Sequence, residues 1–180
     1  MQMDAFKAME IRHTVRSYRD KAVPQAAIRK ILGAAVKAPS SMNQQPWHFI
    51  VVNAKETKAK IRRLYAQARK ELNYYAQDTS FMENGALVVV CCNSAEDDQR
   101  FSCMMAAQNM LLAATALGLG SGPSITILQS KDGAKKLKRL LKIPKKITPL
   151  LLVTLGYTDQ KPAHYKKKKG LKKVLHKNKW

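Results

Sequence analysis

Residues Ala86-Leu87-Val88-Val89-Val90-Cys91-Cys92 form an unbroken apolar run directly after Gly85. A run this short and this rich in valine predicts a β-strand covered on both faces. A strand with no polar side cannot lie at a surface, so the rest of the chain must supply partners and cover. A second apolar run, Thr148 to Gly156, and a β-prone segment, His48 to Asn53, offer partner strands.

Helical periodicity supplies the cover. Asp4 is a plausible N-cap for a helix over Ala5 to Ile11. After Pro24, residues Ile28, Ile31, Leu32, Ala35 and Val36 recur at helical spacing, ending near Pro39. Lys55 to Tyr75 carries Ile61, Leu64, Ala68 and Leu72 on one stripe of a lysine- and arginine-rich helix. Asp97 and Asp98 open a long helix closed by Gly118, apolar nearly all round after Cys103. Lys131 to Leu141 predicts a further basic helix, with Pro144 after it. Gly118 to Ser124 reads as a flexible loop. No repeat or linker divides the chain, so residues 1–180 are expected to form one α/β-type or α+β domain, helices covering a small sheet.

The formal net charge is +21. A polyanion-binding protein would show this, and so would a protein from a lysine-rich proteome. The positive charge is spread over several helices with little aromatic interleaving, so nucleic acid is a rival reading and not the expected partner. The three cysteines, Cys91, Cys92 and Cys103, are odd in number, and the first two are adjacent in an apolar run. A disulfide framework is not expected, and Cys91 and Cys92 read as core residues. Met1 to Arg12 lacks the apolar stretch of a signal peptide, and no apolar run approaches the ~18 residues that span a membrane. A cytoplasmic protein without a membrane partner is expected.

Two constellations could carry chemistry. Arg12-His13-Thr14-Val15-Arg16 places two guanidiniums, an imidazole and a hydroxyl within five residues. Such a group can surround a phosphate, because the guanidinium fork matches its oxygens. A solvated basic turn is the plain alternative. Pro39-Ser40-Ser41-Met42-Asn43-Gln44-Gln45-Pro46-Trp47 offers hydroxyls and amides for a ring edge or a polyol. A helix end followed by turn residues reads the same segment equally well. No GxGxxG, P-loop, GxSxG or HExxH pattern is present, so a reactive group would belong to a cofactor.

Along nearly its whole length the chain resembles the nitroreductase family of FMN-dependent oxidoreductases. Ile11 to Tyr18 looks like the family's RRSxRxF/Y motif, and Ala38 to Trp47 is close to its APSSxNxQPW segment. Gln108 to Ala114 with Ala116 to Ser121 matches the QNxxLAAxxLGLGS helix. Ile143-Pro144 and Leu155-Gly156-Tyr157 match its later landmarks.

The resemblance implies a three-layer α+β fold with a small mixed or antiparallel sheet, working as an intertwined homodimer with FMN at the interface. It implies that Arg12, His13, Thr14 and Arg16 bind the FMN phosphate, while Pro39, Ser40, Ser41 and Asn43 reach the same flavin from the other subunit. A C-terminal cation, usually Arg, completes the phosphate site in the family. Here Lys168 is expected in that role, with Lys166 second. Where the family often has SxWIG, this chain has Ser121-Gly122-Pro123-Ser124-Ile125. Pro123 has no N–H, so a backbone contact to the flavin falls to Gly122, Ser124 or Ile125, and Ser124 is taken as a cofactor residue. The Leu64 to Phe81 region, with Tyr74 and Tyr75, takes the place of the family's pocket-shaping excursion.

The implied activity is ping-pong hydride transfer through flavin N5, from NADH or NADPH to a small nitroaromatic or quinone-type acceptor, with no protein general base. Relatives that reduce enones or remove halogen mark the family's other chemistries.

Overall fold

A computed structural model describes residues 3–162 and 169–180. The helices are α1 (Ala5–Ile11), α2 (Gln25–Ala35), α3 (Lys55–Glu71), α4 (Asp97–Ala116), α5 (Thr126–Gln129) and α6 (Gly133–Leu140). The strands are β1 (Trp47–Val52), β2 (Ala86–Cys92), β3 (Gly120–Ser124) and β4 (Thr148–Gly156). They form one sheet in the order β1-β2-β4-β3, antiparallel throughout.

The apolar run is β2, and every residue in it is buried. It pairs with β1 on one side (Phe49 opposite Val90) and β4 on the other (Val88 opposite Val153). Because side chains alternate along a strand, it feeds two cores at once. Val88, Val90 and Cys92 pack with Ile31, Ala35, Trp47, Ala106 and Met110 under α2 and α4. Leu87, Val89 and Cys91 pack with Ile61, Tyr65, Phe81, Ile127 and Leu137 under α3, α5 and α6. Each fully buried Val or Leu contributes about 1.5–3 kcal/mol, so both helical layers are held by one strand. Trp47, at the mouth of β1, is buried as its position requires.

The helix capped by Asp4 forms as expected, with the carboxylate accepting from the N–H groups of Phe6 and Lys7. α3 stops at Glu71, short of the expected Tyr75, where Asn73 turns left-handed (φ 53°). α6 begins at Gly133, and the short α5 before it was not foreseen. The expected loop Gly118 to Ser124 is largely strand. Its small residues belong to a sheet edge, where Pro123 needs no ladder donor.

Candidate functional site

The cationic segment leaves α1 at Arg12 in an extended conformation and runs along the outer edge of β3. Thr14 forms a parallel bridge with Ser121, and the Val15 N–H donates to the Ser121 carbonyl at 2.9 Å. Val15 is buried against Gly120. The glycines of β3 therefore have a packing reason. A Cβ at Gly122 would stand 2.3 Å from the Val15 carbonyl oxygen and 2.6 Å from Arg16 Nη1.

Arg16 reaches inward along this approach. Its Nη2 donates to the Pro123 carbonyl at 2.8 Å, and its guanidinium lies 5.1 Å from the Phe81 ring centroid. Among the described residues, Nη1 is buried with no hydrogen-bond partner, and so is Ser121 Oγ. A buried donor left unpaired costs roughly 1–3 kcal/mol, which an anionic or carbonyl-bearing ligand would offset. His13 sits with its two ring nitrogens 3.1 Å from the carbonyls of Ile11 and Gln160. Arg12, His13, Ser121, Thr158 and Gln160 line a cavity of about 320 Å³ whose lining carries no carboxylate. The donor set suits an anion such as a phosphate.

The polar loop has a different setting. Ser41 to Asn43 form a single 3₁₀ turn in which Met42 (φ 50°) and Asn43 (φ 53°) are left-handed, as is Gln45 (φ 49°). The Gln45 N–H donates to Ser40 Oγ at 3.0 Å, and the Gln45 amide donates to Asn43 Oδ1 at 3.2 Å. The Ser41 N–H donates to Ser102 Oγ on α4 at 3.3 Å. The Ser41 hydroxyl also holds the Asp98 carboxyl below its ordinary range. Pro39 and Asn43 are exposed, while Ser40 and Ser41 are half-buried.

The two constellations do not meet within one chain. The polar loop rests near the N-terminal end of α4, at Asp98 and Ser102. The cationic segment lies by its C-terminal end, where Arg12 and Thr115 line the same cavity. At about 1.5 Å per residue, α4 from Ser102 to Thr115 is roughly 20 Å long. Between these ends, Phe101, Met105 and Leu112 follow helical spacing on a stripe of α4. Phe101 is 67% exposed and Met105 41%, and Phe6 on α1 is 84% exposed.

Ser124 closes β3 with its hydroxyl turned into the fold, bonded to Thr126 Oγ1 at 3.1 Å. Tyr74 and Tyr75 follow α3 and flank Arg69, whose guanidinium lies 5.5 and 5.3 Å from their ring centroids. Lys166 and Lys168 lie outside the described residues. Thr158 and Gln160 are site residues that the sequence did not single out. Their partners lie about 140 positions away, and no local pattern marks them. The cysteines are free and buried. Burial pushes the Cys91 thiol up to about 11 and the Cys103 thiol up to about 12. Among the described residues, no helix is long and apolar enough to cross a membrane.

Known proteins resemble this chain in sequence and in fold. A Methanothermobacter thermautotrophicus protein with the provisional name NADH dehydrogenase/NAD(P)H nitroreductase is 34% identical over 90% of this chain and 81% of its own. An iodotyrosine deiodinase from Thermotoga neapolitana is 27% identical over 86% of this chain and 88% of its own. The solved structure of an FMN-dependent nitroreductase from Clostridium difficile superposes with a TM-score of 0.81 at 26% identity, over 96% of this chain and 98% of that one. The model of the Nitroreductase family matches residues 9–157, from the end of α1 to the residue after β4, and the chain belongs to that family.

Proposed function

We propose that this chain is an FMN-dependent oxidoreductase whose flavin site is completed by a second copy of itself. The observation that carries this is the separation of the two polar constellations by roughly 20 Å of α4, with an uncovered apolar stripe between them. An isologous dimer can bring the cationic segment of one protomer to the polar loop of its partner. It would also cover Phe101, Met105 and Phe6. Residues 1–180 then act as one FMN-binding domain.

The chain's own residues fit the flavin. Arg12, His13, Thr14 and Arg16 would hold the phosphate and the polar edge of the ring. Ser121 Oγ, on the cavity wall, and Arg16 Nη1 beside it have no hydrogen-bond partner among the described residues and would find acceptors there. From the partner, Pro39, Ser40, Ser41 and Asn43 would close the same site, with the backbone near Ser124 against the ring. Lys168 or Lys166 would add a cation to the phosphate. FMN supplies hydride chemistry, with NADH or NADPH as donor and a small nitroaromatic or quinone-type acceptor, in ping-pong order. The protein's part is electrostatic: fixed cations and dipoles favour the reduced, anionic flavin. No side chain need act as a general base. The free thiols support a reducing, cytoplasmic setting.

Reductive dehalogenation is a second reading, favoured by the similarity to an iodotyrosine deiodinase over 86% of the chain. Anaerobic stopped-flow reduction of the FMN-loaded protein by NADH and NADPH, followed by nitroaromatic, quinone and halogenated phenol acceptors, separates the two. A protein that sediments as a monomer and retains no FMN after gel filtration would sink both.

A further inference from the structure

The cationic segment is gripped on both edges. On one edge, the Val15 N–H donates to Ser121 of β3 at 2.9 Å. On the other lies the stretch after β4. There the Arg19 N–H donates to the Tyr157 carbonyl at 2.8 Å, and the Thr158 hydroxyl donates to the Ser17 carbonyl at 2.7 Å. An ion pair joins Arg19 and Asp159 on the solvent side of this edge, where screening leaves it little part in the grip. Beside Thr14 and Arg16, a side chain takes over from the backbone. Gln160 Oε1 accepts from the Arg16 N–H at 2.8 Å, and Gln160 Nε2 donates to the Thr14 carbonyl at 3.2 Å. Its own carbonyl stands 3.1 Å from His13 Nε2.

Alternate backbone groups of an extended segment point to opposite edges. The Val15 N–H faces β3, so the Thr14 carbonyl and Arg16 N–H face away from it. Without Gln160 these two groups would have no protein partner on that side among the described residues. The carboxamide carries one acceptor and a donor pair on one planar group, and so stands in for the peptide of a missing neighbouring strand. Neither a carboxylate nor an apolar side chain can do both.

We propose that Gln160 is the positioning residue of the cofactor segment, fixing Thr14 and Arg16, and through its carbonyl His13, so that Arg16 is held under Pro123 with Nη1 free. This rests on the flavin-binding role proposed above. Gln160 lines the same cavity, but both ends of its carboxamide are engaged by Arg16 and Thr14, so it would act on the flavin through them.

The test uses the full chain reconstituted with FMN. Gln160→Ala, Gln160→Glu and, as a neighbour that leaves the clamp intact, Asp159→Ala are compared by FMN Kd and by the midpoint potential of the bound flavin. Gln160→Ala is expected to raise the Kd roughly tenfold, from the loss of two hydrogen bonds. Its potential should move negative, because a less fixed guanidinium stabilises the anionic reduced form less. Gln160→Glu keeps the acceptor for Arg16 but turns a carboxylate oxygen on the Thr14 carbonyl and adds a negative charge beside the anion site, so its Kd should rise further than that of Gln160→Ala. Asp159→Ala should match the unsubstituted protein in both. A Kd within twofold and an unshifted potential for Gln160→Ala would overturn the proposal. So would a weakened Kd, with no change in potential, shared equally by Asp159→Ala. Should Gln160→Ala not fold, Gln160→Met decides on the same two readouts, since it keeps the side chain's size, adds no charge and makes neither hydrogen bond. If the unsubstituted protein binds no FMN at all, the flavin reading itself fails and this inference falls with it.

Discussion

The backbone N–H of Ser41 donates to the hydroxyl of Ser102 at 3.3 Å, and that hydroxyl donates in turn to the Asp98 carbonyl at 2.9 Å. The polar loop is thus tied to a rigid helix by a side chain that is itself buried. Ser102→Ala removes the acceptor, leaving the Ser41 N–H without its protein partner. One hydrogen bond contributes about 1 kcal/mol, so FMN Kd should rise about fivefold. Stability should change little, because Ala is the better helix former. Fluorescence titration of FMN checks it. An unchanged Kd would show that the loop does not depend on α4 for its shape.

The stripe on α4 makes a sharper demand. Phe101 and Met105 lie outside both buried cores of their own chain, so Phe101→Glu with Met105→Glu should cost the isolated fold within about 0.5 kcal/mol per site. Across a two-fold interface the four carboxylates would be buried near one another, which dimerisation cannot tolerate. The variant should sediment as a folded monomer and lose FMN altogether. A monomer that still retains FMN would show that one chain makes the whole site.

Much of this was legible from the sequence, for physical reasons. Ala86 to Cys92 has no polar face, which forces a central strand, and the helices at 5–11 and 97–116 carry their own start signals. Gly120 to Ser124 misled because Gly and Pro mark loops when read locally. Here Gly122 is small because the Val15 carbonyl and Arg16 need the space, and that need arises from a segment a hundred residues earlier. Arg12 to Arg16 was visible as a cluster of charge. Gln160 was not, since a single glutamine has no signature until its two partners are in place.

The crowding at Gly122 gives a paired prediction of opposite sign. Gly122→Ala would set a methyl 2.3 Å from the Val15 carbonyl oxygen and 2.8 Å from Thr154 Oγ1. Overpacking of this kind costs about 1–3 kcal/mol, and the displaced Arg16 should weaken FMN binding as well. Gly33, in the interior of α2, has nothing within 4 Å of the same added atom. Gly33→Ala should therefore stabilise by about 0.5–1 kcal/mol and leave FMN binding alone. Thermal melts of both variants test the pair, and a Gly122→Ala protein with unaltered Tm and Kd would remove the packing argument.

The buried thiols set a limit at high pH. Burial raises Cys91 from 9.0 to about 11 and Cys103 to about 12, the latter reinforced by Cys92. A thiol whose pKa is higher folded than unfolded binds its proton more tightly in the native state. The stability it lends is full below the unfolded value of 9.0 and is lost as pH rises through about 11 and then about 12. Tyr18, buried beside Thr154, is raised as well and acts in the same sense. Tm should hold near pH 8 and fall steadily above pH 9, and Cys91→Ala with Cys103→Ala should flatten part of that fall. At pH 8 the native thiols should react with a disulfide reagent far more slowly than the unfolded chain does, because the thiolate is the nucleophile. Rapid labelling of the native protein at that pH would mean the thiols are not held as the structure places them.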